Sequence, residues 1–296
     1  MKNIIPLIVI FLFTTAHESD CFRLTNMTAP PVQDPRSEMR LHCRFDMGGE
    51  ELYAVKWYKD DHEFFRYTPA GEDMVTFPVP GVDVDDRESR CNRDSCDLLL
   101  INLKRPQSSG AYRCEVSSEA PAFRLASETH NVTVAALPEE PPVIEGLKSA
   151  YSLGDSLVAT CTSGLGDPRP DLKFYINKQW VTSAFIRDVS PETIYQDPET
   201  GIQLRRSKIQ LRMIMNSKIG GANINSQSDL SCVSSIEGLD PNAAPPVTTT
   251  RTFTLIDHSQ DVNNEKLLAE GMSGSESHGF SLYIVFSLTL LNYLLL

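Results

Sequence analysis

A tyrosine two residues before a cysteine, directly after a tight turn, is the feature that most constrains this chain. Residues 108–114 read Ser-Ser-Gly-Ala-Tyr-Arg-Cys, so a turn leads into a strand that carries Tyr112 and Cys114 on one face. In a two-sheet β-sandwich such a tyrosine bonds back to the backbone at the end of the sandwich, and its cysteine joins the two sheets. The stretch therefore predicts a central strand of a β-sandwich.

Three further features lie at the distances that this arrangement requires. Cys43 is the candidate partner of Cys114, and Trp57 follows Cys43 at the spacing of a core tryptophan on the next strand. Residues 97–103 alternate as a further strand. The side chains expected to face the core from that strand are Leu99, Ile101 and Leu103. Together these features predict a variable-like immunoglobulin sandwich over residues 17–137.

Residues 143–256 repeat this architecture with little residue identity. Cys161 and Cys232 have the same separation as the first pair, although Phe174 replaces the tryptophan and Leu230 replaces the corner tyrosine. The Pro-rich stretch 138–142 predicts a short, semi-rigid linker. The expected fold class is all-β: two tandem immunoglobulin-like β-sandwiches, the first variable-like, plus an N-terminal signal peptide and a C-terminal hydrophobic tail.

Both ends of the chain carry apolar segments that predict entry into the secretory pathway. Residues 1–16 have a positive start, a short apolar run and small residues before a cleavage point, as secretory signals do. Residues 257–279 are polar and predict a disordered stalk. Residues 280–296 would form a helix of about 25 Å, shorter than the roughly 30 Å hydrocarbon core. They are therefore interpreted as a GPI-anchor signal with Ser273 as the attachment site; a short membrane helix is the alternative. The expected location is the extracellular face of the plasma membrane.

The cysteines and sequons fit an oxidising, extracellular setting. Beyond the two inter-sheet pairs, Cys91 and Cys96 are expected to clip a loop; pairing of Cys21 with one of them, or a metal site, is the alternative. Unpaired, Cys21 would be a free thiol able to bridge chains. The sequons predict N-glycosylation at Asn26 and Asn131.

Composition and motifs narrow the function to binding. The formal net charge is −12, which argues against nucleic acid as a partner. We find no nucleophile elbow, phosphate loop or zinc-protease motif, and therefore expect no enzymatic activity and no cofactor or metal. The acidic run 83–88 is interpreted as a solvated loop rather than a Ca²⁺ site. One basic strip offers weak contact with a sulfated glycan, or else is a solvated edge hairpin; it consists of Arg205, Arg206, Lys208 and Arg212.

The outward face of the first domain is the candidate partner surface, because aromatic residues and arginines are typical anchors of protein interfaces. Alternation in the strand over 53–59 places Tyr53, Val55 and Trp57 inward. In the next strand either the Phe64/Arg66 pair or the Phe65/Tyr67 pair must point outward. The candidate residues are Lys56, Tyr58, Phe64, Phe65, Arg66, Tyr67, Arg113, Glu115 and Phe123.

Several of these stretches resemble the beaten path (Beat) proteins of arthropods. The similar segments are 52–59, 63–69 and 112–123 in the first domain, and 142–148 and 175–177 in the second. The resemblance covers roughly residues 22 to 255 and implies two immunoglobulin domains with a role in neuronal recognition. It also implies heterophilic binding to a sidestep-like surface protein, which steers motor axons. Homophilic adhesion through the same face is the alternative, and a secreted enzyme is disfavoured.

Overall fold

The computed structural model describes residues 21–216 and 224–256. In these ranges the regular structure is β-strand apart from one 3₁₀ turn at Ser183–Phe185. None of the helical structure in the described ranges is long and apolar enough to cross a membrane. The expected signal peptide, stalk, hydrophobic tail and Ser273 lie outside the described residues.

The first domain is a sandwich of two sheets. Its strands are β1 (Arg23–Thr28), β2 (Val32–Gln33), β3 (Met39–Asp46), β4 (Leu52–Lys59), β5 (His62–Thr68), β6 (Asp73–Thr76), β7 (Arg90–Cys91), β8 (Ser95–Leu100), β9 (Gly110–Ser118) and β10 (Leu125–Val134). One sheet has the order β1-β3-β8-β7 and the other β2-β10-β9-β4-β5-β6. Strands β5 and β6 extend the second sheet beyond β4, which is the arrangement of a variable-type immunoglobulin domain.

The corner tyrosine organises the core as the sequence predicts. Tyr112 is fully buried, and its hydroxyl donates a hydrogen bond of 2.7 Å to the Ser108 carbonyl. The Ser108 hydroxyl in turn accepts from the Lys104 amide at 2.8 Å, which fixes the turn before β9. Cys43 and Cys114 form the disulfide between the two sheets, and Trp57 is fully buried in the same core.

The side chains of β8 point to the opposite faces from those that the sequence prediction gave. Leu98 lies opposite Leu41, and Leu100 opposite Met39, so Leu98 and Leu100 face the core between the sheets. Leu99 points the other way and is buried beneath residues 83–89, with its amide bonded to the Ser89 hydroxyl at 3.1 Å. The prediction that Leu99 and Ile101 face the core was therefore wrong by one residue. Leu98, Leu99 and Leu100 are all buried, so apolar and polar residues do not alternate along this strand.

The second domain is also a two-sheet sandwich. Its strands are β11 (Val143–Glu145), β12 (Ala150–Ser152), β13 (Ser156–Gly166), β14 (Asp171–Ile176), β15 (Gln179–Trp180), β16 (Ile186–Asp188), β17 (Tyr195–Gln196), β18 (Gln203–Ile214), β19 (Gln227–Ser235) and β20 (Val247–Ile256). The sheets have the orders β11-β13-β18-β16, with β17 paired to β18, and β12-β20-β19-β14-β15. Phe174 and Leu230 are fully buried around the Cys161–Cys232 disulfide. Two smaller hydrophobic side chains thus fill the positions of the missing tryptophan and tyrosine.

The junction between the domains combines backbone and side-chain contacts. Ala136 and Asp167 exchange two backbone hydrogen bonds of 2.8 and 3.0 Å. The Arg105 guanidinium binds the Asp167 carboxylate through two hydrogen bonds of 2.9 Å. Arg36 donates to the Leu137 carbonyl at 2.7 Å and is held by Asp34 at 2.6 Å. The residues just before the linker are therefore bonded both to the second domain, through Asp167, and to the first domain, through Arg36.

Candidate partner-binding face

The outer face is defined here as the side of the β10-β9-β4-β5-β6 sheet that points away from the first domain's core. Strand pairing brings side chains from neighbouring strands together on it. Lys56 lies opposite both Glu115 on β9 and Arg66 on β5, and Tyr58 lies opposite Arg113. Directly opposite residues share one face of a sheet, so these five side chains form two adjacent rows.

A network of charged and aromatic groups occupies the centre of this face. The Arg113 guanidinium carbon lies 4.4 Å from the centre of the Tyr58 ring, and a second contact of 3.1 Å joins Arg113 to the Asp61 carboxylate. The Tyr58 hydroxyl donates to Glu115 at 3.1 Å, while the Lys56 ammonium lies 3.8 Å from the same carboxylate. Each side chain is thereby held in place before any partner arrives.

Two members of the face have raised pKa values. Burial and then the negative charge of Glu115 raise the pKa of Tyr58 to about 12, so its hydroxyl stays protonated at physiological pH. Arg66 forms hydrogen bonds of 2.7 and 3.0 Å with the Glu63 carboxylate, and this pairing raises the pKa of Arg66. The Arg66 guanidinium also lies 5.8 Å from the centre of the Phe77 ring.

Three predicted members of the face are instead part of the core. Phe64, Phe65 and Tyr67 are buried, the two phenylalanines completely, so the expectation that they contact a partner is wrong. The cause is a β-bulge: β5 pairs Phe65 with Trp57 but Glu63 with Tyr58, which leaves Phe64 as the extra residue. The Phe64 ring turns inward and packs edge-on against Tyr112 at 6.1 Å between ring centres.

A second bulge adds an aromatic residue that the sequence prediction placed inside. The pairing of β4 with β9 shifts between Leu52 and Ala54, and the intervening Tyr53 is 49% exposed. Exposed apolar side chains follow at the edge of the sheet: Val75 lies opposite Arg66 on the outer face, and Phe77 lies just beyond β6, whereas Met74 lies opposite the core residue Tyr67. Neither feature has a clear sequence signal, because no glycine or proline marks the bulge and β6 is a short strand.

Phe123 lies at the tip of the β9–β10 hairpin, as expected. Its side chain is 75% exposed, and its backbone has a φ of 47°, an uncommon conformation for a bulky residue. A hydrogen bond of 3.2 Å from its amide to the Glu119 carbonyl holds this turn. The neighbouring Leu125 is also exposed. The hairpin therefore presents apolar surface at one end of the outer face.

The predicted sequon asparagines are both exposed, but they lie on different sheets. Asn26 is on β1, and Asn131 is on β10 opposite Ala111, on the same side as Thr129. The register places Thr129 opposite Arg113. A glycan on Asn131 would therefore stand at the end of the outer face, away from the Phe123 hairpin.

The disulfide clip lies beside the main inter-sheet bond. Cys91 and Cys96 are joined across β7 and β8, and Cys96 lies opposite Cys43 in the pairing of β8 with β3. Cys21 is a free, exposed thiol, so the alternative that it pairs with one of the clip residues is not observed. Within 21–216 and 224–256, no cluster of three or more His, Cys, Asp or Glu side chains is arranged to hold a metal ion.

The predicted basic strip of the second domain is divided between two surfaces. Ile209, Leu211 and Met213 face the core, so Lys208 and Arg212 point outward, and Arg206 lines a shallow cavity together with Lys208. Arg205 instead lines a separate cavity between the domains. A register shift in β13 between Thr162 and Leu165 accompanies this change of side.

Comparison with known proteins does not identify a family for this chain. No protein-family model and no curated protein sequence matches the chain. Among solved structures, the crystal structure of Rst D1-D2 is similar, with 15% sequence identity and a TM-score of 0.37. The match covers 80% of this chain and 99% of that one. At this distance it carries no information on partners or activity.

Proposed function

We propose that this chain is a cell-surface recognition protein and that the outer face of its first domain binds a protein partner. The observation that carries the proposal is the Arg113–Tyr58–Glu115 network at the centre of that face. Arginine and tyrosine are enriched among the residues that dominate binding energy at protein interfaces. Because Arg113 and Tyr58 already hold each other in place, little side-chain entropy is lost when a partner docks.

The exposed apolar groups around the network complete such a surface. Tyr53 and Phe77 lie on the β4–β6 side, and Phe123 lies at the hairpin. A partner covering all three would exclude water from the central charges, which strengthens their interactions. The expected mechanism is reversible docking of one immunoglobulin-like sheet on another.

The Beat-like motifs support a sidestep-like surface protein as the partner. Two of the similar segments, 63–69 and 112–123, supply Arg66, Arg113, Glu115 and Phe123 to the outer face. In this proposal the chain is carried to the extracellular side of the plasma membrane, held there by a GPI anchor, and guides axons by heterophilic contact. Signalling in the expressing cell would then require a co-receptor.

A screen of surface proteins tests the proposal. Cells that express the full-length chain would be probed with multivalent ectodomains, including sidestep-like proteins and the chain itself. Binding of a sidestep-like protein without self-binding supports heterophilic recognition. Binding to none of the surface proteins would contradict the proposal.

Homophilic adhesion is a second candidate, favoured by the mixed charge of the face. Lys56 and Arg113 lie beside Glu115 and Asp61, so two copies related by a two-fold axis can set opposite charges against each other. Self-binding alone in the same screen, lost on substitution of Arg113, would favour this reading.

A further inference from the structure

A second charged surface lies on the other domain, on the outer side of the β11-β13-β18-β16 sheet. Along β18, Lys208 and Arg212 point outward and Arg206 is partly exposed on that side. A strand rises about 3.4 Å per residue, so this row spans roughly 20 Å from Arg206 to Arg212.

Strand β16 adds a cation to the same row. Arg187 lies directly opposite Gln210, which is the outward residue between Lys208 and Arg212. Directly opposite residues share a face, so Arg187 fills the gap in the row. We call this surface the basic face; its members are Arg187, Arg206, Lys208 and Arg212.

Within residues 21–216 and 224–256, these cations form no ion pair with a carboxylate. Among the described residues, no Asp or Glu oxygen lies within 4 Å of their side-chain nitrogens, whereas Lys56, Arg66 and Arg113 on the first domain each have one. Two acidic residues, Glu140 and Glu145, line the same shallow cavity as Arg206 and Lys208, although Glu145 is two strands away from β18. Four neighbouring cations without an ion pair among the described residues contrast with a chain of net charge −12.

The surroundings of the row are polar and include one exposed ring. Thr162 lies opposite Lys208, and Thr160 lies opposite Gln210, so hydroxyl and amide groups flank the cations. The Arg206 guanidinium lies 5.9 Å from the centre of the partly exposed Tyr195 ring, and its Nε atom is buried without a hydrogen-bond partner. The Arg206 side chain as a whole is partly exposed, so its terminal guanidinium N–H groups can donate to the anionic oxygens of a ligand.

We propose that the basic face binds a sulfated polysaccharide. A linear polyanion matches a straight row of unpaired cations on a sheet, because successive sulfates can pair with successive side chains. The polar flanks suit a sugar backbone better than the apolar core of a protein interface. This binding would use the second domain and would be independent of a partner on the outer face.

Chromatography on immobilised heparin, with the full-length protein, tests this proposal. The variant Arg206→Gln/Lys208→Gln/Arg212→Gln removes three charges from the basic face. The control Arg23→Gln/Arg40→Gln/Arg44→Gln removes three exposed charges from the first domain, and Arg205→Gln removes the strip residue that points elsewhere. Thermal unfolding and circular dichroism verify that each variant is folded.

The proposal predicts that the basic-face variant binds heparin at least tenfold more weakly and elutes at lower salt, while both controls behave as wild type. Desulfated heparin should not be retained. Equal weakening in the matched triple control would overturn the proposal, since net charge alone would then explain retention. Binding to phosphatidylserine vesicles but not to heparin would also overturn it and assign the face to a lipid surface.

Discussion

The guanidinium carbon of Arg113 lies 4.4 Å above the Tyr58 ring, whose hydroxyl donates a hydrogen bond to Glu115. These residues come from β4 and β9, which are neighbours in the sheet but distant in sequence. The contact converts two flexible side chains into one rigid unit at the centre of the outer face.

The Tyr58 hydroxyl should contribute to partner binding by holding Glu115. Tyr58→Phe keeps the ring beneath Arg113 and removes the hydrogen bond, which is worth about 1 kcal/mol. We therefore expect the free energy of unfolding to fall by about 1 kcal/mol, and partner binding to weaken because Glu115 is no longer held in place. Surface plasmon resonance and denaturant unfolding measure the two quantities; unchanged affinity would show that the bond has no role in binding.

Phe65 and Phe123 should behave in opposite ways. Phe65→Ala opens a cavity in the first domain's core and should lower the free energy of unfolding by about 3–5 kcal/mol. Phe123→Ala removes an exposed ring, so it should leave stability unchanged while weakening partner binding. Urea unfolding of both variants distinguishes them, and a stable Phe65→Ala protein would contradict the burial of this ring.

The corner hydrogen bond should stabilise the first domain. Tyr112→Phe removes only the hydroxyl of this ring and leaves the Ser108 carbonyl without the donor that it has in the wild type. The expected loss is about 1–3 kcal/mol of unfolding free energy. Tyr53→Phe is the matched control, because that ring is exposed and should give the wild-type value. If the unfolding transition of Tyr112→Phe coincides with that of the wild type, the Tyr112–Ser108 hydrogen bond does not stabilise the domain.

Alkaline pH should destabilise the first domain partly through Tyr58. Its pKa is about 12 in the folded protein, against about 10 in an unfolded chain. Below pH 10 this contribution to stability is complete, and it is lost as the pH rises from 10 through 12, because the unfolded state releases the proton first. In Tyr58→Phe the decline in unfolding free energy over this range should be shallower. An identical decline in both proteins would contradict the raised pKa.

Spacing alone predicted the features that covalent bonds and large core residues impose. The Cys43–Cys114 and Cys161–Cys232 bonds and the buried Trp57 each follow from one residue type at a fixed position in the sandwich. Lys56, Tyr58, Arg113 and Glu115 were also placed correctly on the outward side, since their strands alternate regularly there.

The errors occur where a strand gains a residue or loses its alternation. Bulges change the direction in which the Tyr53 and Phe64 side chains point, and no glycine or other local signal marks either position. Leu99 was misassigned because both sides of β8 are covered. Register of this kind is set by pairing with distant strands, so it cannot be read from the segment itself.

The affinity of Arg113→Ala for a sidestep-like partner, compared with Arg44→Ala, tests the central claim most directly. Arg44 is an exposed arginine on the opposite sheet of the same domain, so its loss changes net charge equally without touching the outer face. We predict that Arg113→Ala weakens binding at least tenfold, as interface arginines commonly do, and that Arg44→Ala binds as wild type. Wild-type affinity in Arg113→Ala, with both proteins folded, would contradict the assignment of the outer face as the binding surface.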